Sequence, residues 1–139
     1  MNANAEHSKV AQKPQLPPAV ATVANREARR MLEEVKGITA VVVATLDGFD
    51  VASAMNSGEA DRIAAMASSI AAISAVVSEE ADLGLSRSVT IANEGGFALV
   101  YSIHRSDMAL VAILIGNHQA VLGQANYSAA QLARKLVEA

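Results

Sequence analysis

Apolar and polar positions recur along this chain in two rhythms, one of helices and one of strands. Val20, Ala24, Ala28, Met31 and Val35 fall at steps of four and three with Leu32 beside them, while Arg26, Glu27, Arg30, Glu33 and Glu34 lie on the other side. That spacing predicts an amphipathic helix over 20–35, with Gly37 as the left-handed residue that ends it. The β-branched run ITAVVVATL (38–46), then Asp47-Gly48, then FDVASAM (49–55) predict a hairpin with a two-residue turn, in which both central positions need positive φ. A long helical stretch over about 59–83, closed by Gly84, comes next. SRSVTIAN (86–93), FALVYSIH (97–104) and MALVAILI (108–115), separated by turns at Glu94-Gly95-Gly96 and Arg105-Ser106-Asp107, predict an antiparallel meander. A last helix is expected over about 121–138, with Leu122, Ala129, Leu132, Ala133 and Leu136 as its inner stripe.

The predicted order is α-β-β-α-β-β-β-α. Runs 38–46 and 108–115 are nearly continuous in apolar residues, as central strands buried on both faces would be. Helices are therefore expected on both faces of a five-stranded antiparallel sheet, an α+β sandwich. Residues 1–19 hold all three prolines among Asn, Gln, Lys and Ser, a composition that cannot build a core, and are expected to form a disordered tail before a single domain at 20–139.

The central helix is the most informative segment. IAAMASSIAAISAVV (63–77) carries no charge but falls short of the roughly 20 residues that cross a bilayer. Ile63, Met66, Ile70, Ile73 and Val77 make a bulky stripe. Ala60, Ala64, Ala67, Ala71, Ser74, Ala75 and Ser78 make a stripe of small residues about 100° away. If the bulky stripe packs on the sheet, the small one is left as an uncharged strip on which the same helix of a second copy fits closely, giving a two-fold dimer. The competing reading is a monomer whose alanines reflect helix propensity alone. Glu79, Glu80 and Asp82 oppose the helix dipole at the C-terminal end, which is open to two readings, a docking patch for a basic partner or a solvated helix end.

Composition narrows the function. Of the 139 residues 29 are alanine, four are aromatic and none is cysteine, so the core is aliphatic, and disulfides, thiol nucleophiles and thiolate zinc sites are excluded. The net charge of −3 and scattered basic residues give no stripe for phosphates, which argues against nucleic acid. The N-terminal residues lack the apolar stretch of a signal peptide, and a cytoplasmic protein without membrane insertion is expected.

Chemistry-bearing motifs are scarce. There is no GxxxxGK[ST], and Gly95-Gly96 lies between strands rather than before a helix, so no nucleotide cofactor is expected. His7, His104 and His118 have no metal-ligand spacing. His104, Arg105 and Asp107 cluster at a turn, and Asp47 and Asp50 flank a hairpin; ordinary turn and strand roles account for both sets. Arg62 is open as an arginine finger toward a partner's nucleotide or as a surface residue.

Two segments resemble the Roadblock/dynein light chain family: Gly37-Ile38-Thr39-Ala40-Val41-Val42-Val43 with Asp47-Gly48 and Val51-Ala52-Ser53-Ala54, and Gly96-Phe97-Ala98-Leu99-Val100-Tyr101 with Ala109 to Leu114. The resemblance covers about residues 20–139, and the proline-containing tail departs from it. It implies a profilin-like fold and a homodimer in which central helices pair and third strands join two sheets, which adds Val89 and Ile91 to the expected interface. It further implies a non-enzymatic regulator or scaffold of a small Ras-like GTPase, for which Arg62, Glu79, Glu80 and Asp82, singled out above from the sequence itself, are the candidate partner-binding residues. Two alternatives stand beside it: an adaptor subunit with no effect on nucleotide hydrolysis, and a sensory module holding a small ligand between sheet and helix.

Overall fold

A computed structural model describes residues 16–139. Its elements are α1 (Pro18–Glu34), β1 (Ile38–Thr45), β2 (Asp50–Met55), α2 (Ala60–Glu80), β3 (Ser88–Asn93), β4 (Gly96–His104), β5 (Ala109–Asn117) and α3 (Leu122–Glu138). The strands form one antiparallel sheet in the order β2-β1-β5-β4-β3. The predicted element order and fold class are those observed. Most of the expected tail lies outside the described residues, but Pro18 occupies the first turn of α1 and Leu16 packs against the core, so the ordered chain begins a little earlier than position 20. Proline suits that first turn because its missing N–H would have no helical partner there.

Period-two alternation sorts the sheet into two faces. Val41, Val43, Leu99, Ile103, Leu110, Ala112 and Leu114 point to one side and pack against α1 and α3. Val42, Ala44, Val100, Val111 and Ile113 point to the other, under α2. β1 and β5 are thus covered on both faces, as their unbroken apolar runs require.

Two turns depart from expectation. Gly37 does not cap α1. It follows Lys36 in a turn closed by the Ile38 N–H on the Val35 carbonyl at 3.2 Å, with φ +83°, and a Cβ there would lie 2.3 Å from the Ala120 nitrogen. The β1–β2 hairpin is not a two-residue turn. The Gly48 N–H reaches the Thr45 carbonyl at 3.0 Å and the Thr45 N–H the Phe49 carbonyl at 2.9 Å, leaving Leu46, Asp47 and Gly48 in the loop. Only Gly48 of these has positive φ, +90°, the arrangement of a three-residue hairpin with glycine in the left-handed position.

α2 ends at Glu80 rather than near Leu83. Asp82 adopts φ +56°, its N–H bonds the Glu79 carbonyl at 3.1 Å, and the Leu83 N–H bonds the Ser78 carbonyl at 2.8 Å. This pair of bonds is a Schellman stop with aspartate in the place glycine usually takes.

Candidate partner interface

α2 lies on the sheet through its small stripe. Ala64 and Ala67 are fully buried and Ala71 nearly so, with Ser68 beside them, against Val42, Ala44, Val100, Val111 and Ile113. This corrects the expectation from sequence that the bulky stripe faces the sheet. The sheet surface under α2 is already filled by branched side chains, and the alanines let the helix backbone settle closely on it. Ala64, Ala67 and Ala71 are therefore core residues and cannot form an outer contact strip. Ala60, Ser74 and Ser78 are half-buried at the edges of the stripe, Ser74 Oγ shares a hydrogen bond with Ser86 Oγ, and only Ala75 is exposed.

The bulky stripe faces outward instead. Met66 is 51% exposed, Ile73 65% and Val77 56%, with Ile63 and Ile70 half-buried along the flank. That flank borders β3, the edge strand of the sheet, and Ile70, Ile73 and Val77 form with Val89 a groove of about 380 Å³. Ile91 continues the apolar surface along the same strand. α2 spans 21 residues and carries no charge between Arg62 and Glu79. Large contiguous apolar patches on a folded domain mark contact sites.

Charges sit at the two ends of α2. Arg62 is exposed and pairs with Glu59 at 3.7 Å, an exposed ion pair of small energetic consequence. Glu79, Glu80 and Asp82 lie exposed at the other end, where the last turn holds no basic residue. The structure does not bring Arg62 together with the three carboxylates; they are separated by the length of the helix.

The other candidate groups hold the fold. Arg105 donates to both Asp107 carboxylate oxygens at 2.9 Å and to the Leu136 carbonyl near the end of α3, a cation where the helix dipole favours one. Its hydrogen bond holds the exposed Asp107 carboxyl below the ordinary aspartate range. His104 Nε2 lies 3.1 Å from the Ser86 carbonyl. Asp47 is exposed in its turn and Asp50 is half-buried at the start of β2. Among the described residues no group of three His, Asp or Glu side chains could hold a metal ion. Sequence reasoning passed over Glu27, which is buried and accepts from Arg30 and Lys135 at 3.0 Å each, joining α1 to α3. Burial pushes its carboxyl up, but the Lys135 and Arg30 hydrogen bonds outweigh that and hold it below the usual glutamate value of 4.5.

The family model of the Roadblock/LC7 domain matches residues 25–114, from within α1 into β5. The chain belongs to this family. Solved structures of the Roadblock/LC7 fold superpose on it closely. The Roadblock/LC7 domain from Streptomyces avermitilis does so with TM-score 0.73 and 18% identity, covering 81% of this chain and 92% of its own. The gliding protein MglB of Thermus thermophilus gives TM-score 0.75 at 17% identity, covering 91% of this chain and 96% of its own. Profilin II of Acanthamoeba castellanii is a more distant likeness, with TM-score 0.52, 18% identity and coverage of 83% and 97%. No match is found among curated proteins. Within the Roadblock/LC7 fold, then, the outward stripe of α2 and the free edge of β3 form one continuous apolar surface.

Proposed function

We propose that this Roadblock/LC7 protein is a cytoplasmic, non-enzymatic homodimer that binds a small Ras-like GTPase and regulates or scaffolds its nucleotide cycle. The observation that carries the dimer is the uncharged stripe of Met66, Ile73 and Val77 running beside β3, which among the described residues has no strand on its outer side. Two copies related by a two-fold axis would bury both stripes and extend one sheet into the other through β3, with Val89 and Ile91 at the seam. The GTPase is supported by the resemblance of residues 37–54 and 96–114 to bacterial Roadblock regulators and by the shared fold of the gliding protein MglB. A regulator that works by ordering the GTPase's own residues needs no catalytic constellation of its own.

The deciding experiment mixes the purified protein with a small Ras-like GTPase from the same organism and follows complex formation and GTP hydrolysis. Association in at least one nucleotide state with an altered hydrolysis rate is expected. Association without any change in rate would make the protein an adaptor, and no association in either state would overturn the reading.

A further inference from the structure

Beyond Ala71 no residue of α2 is fully buried, and only Ser74 and Ser78 are half-buried. A cleft of about 590 Å³ opens beside this half of the helix, on the flank opposite the bulky stripe. Ala72 and Ala75 form its roof, and Ser102 of β4 and Ala109 of β5, on the face of the sheet that α2 covers, its floor. Two leucines stand at its mouth, Leu46 at 52% and Leu85 at 81% exposure, and Leu83, at 71%, carries the apolar surface beyond it. The volume is that of a ligand-sized site, and the lining is apolar apart from serine hydroxyls, His104 and two carboxylates, Glu79 and Asp82.

Those carboxylates decide the chemistry. They lie at the negative end of the helix dipole, with no basic residue in the last turn, and neither forms an ion pair among the described residues. The rim therefore carries negative potential that no ion pair among the described residues offsets. We propose that the cleft receives a peptide segment of a partner protein that presents one arginine or lysine beside bulky apolar side chains. The cation sits between Glu79 and Asp82 while the apolar side chains cover Leu46, Leu85 and Ala75. The exposed leucines outside the cavity favour a peptide over a small organic cation, which would leave them in water. The site is separate from the proposed dimer surface, and its test with isolated peptides needs neither a second copy nor a GTPase.

The test titrates the ¹⁵N-labelled full chain with acetyl-Leu-Arg-Leu-Leu-amide, with its glutamine twin acetyl-Leu-Gln-Leu-Leu-amide, and with spermidine. The arginine peptide should shift the amides of Ser86, Ser102, His104 and Ala109 and bind about five-fold more tightly than the glutamine peptide, a preference that fades with added salt. In a Glu79→Gln, Asp82→Asn variant the two peptides should bind alike while circular dichroism and mass by light scattering stay unchanged. Equal binding of both peptides to the wild-type protein, or no shifts at the cleft, would overturn the proposal. So would the same shifts with spermidine at equal concentration, which would mean a small cation is enough, or shifts produced by protein concentration alone, which would mean a second copy fills the cleft.

Discussion

Glu27 shows how a single side chain can tie two helices that are far apart in sequence. Its carboxylate is buried between α1 and α3 and accepts from Arg30 and Lys135. Because its folded pKa is lowered, its contribution to stability is fully present above the unfolded value near 4.5 and is lost as the pH falls through the lowered folded value. Replacing Glu27 with Gln should therefore destabilise the protein by about 1–2 kcal/mol at neutral pH, the exposed Lys135 end being discounted for solvent. The gap between variant and wild type should narrow below about pH 4.5 in urea unfolding followed by circular dichroism. Nothing in the sequence marks Glu27 as different from Glu33 or Glu34, since Lys135 lies 108 positions away and only the packing of α3 on α1 brings it near. Asp82 is similar: its left-handed conformation is invisible to a pattern that looks for glycine, and Gly84 drew the helix end three residues too far.

At the scale of elements, periodicity was legible and orientation was not. Spacing of apolar residues places every helix and strand in order, and the steps along 63–77 separate two stripes on α2. The angle between stripes follows from the helix repeat alone, but which stripe turns inward depends on the surface it meets, and that surface is assembled from β1, β4 and β5, distant in sequence. The corrected orientation changes what substitutions should do. Ala67→Arg puts a long cation into a fully buried site and should abolish folding, seen as loss of the cooperative thermal transition. Ile73→Lys, on the outward stripe, should leave the circular dichroism spectrum intact while lowering the mass measured by light scattering from dimer to monomer. A reversed pattern, with Ala67→Arg folded and monomeric, would restore the opposite orientation.

For the whole molecule, charge and apolar surface are distributed unevenly. The α1 and α3 layer carries Arg26, Arg29, Arg30, Arg134 and Lys135 against Glu27, Glu33, Glu34 and Glu138. α2 and its flanks carry Arg62, and Arg87 just before β3, against Glu59, Asp61, Glu79, Glu80 and Asp82. A basic partner approaching this protein is therefore steered toward the α2 side, and its association should slow as salt is added. The mass in solution is expected to be twice 14.4 kDa at dilute concentration, and a wild-type monomer would remove the dimer from the proposed function.

The free edge of β3 bears on how the protein survives between synthesis and assembly. Its six residues, SVTIAN, contain no charge and no proline, and five of them are exposed in the single chain. A strand of that kind is a template onto which any extended chain can add, including another misfolding copy of itself. Variants that lose the dimer should therefore precipitate on concentration or gentle heating rather than persist as tidy monomers. A lysine in place of the exposed Thr90 should act as a gatekeeper and keep such a monomer in solution, as turbidity measurements on Ile73→Lys with and without Thr90→Lys would show.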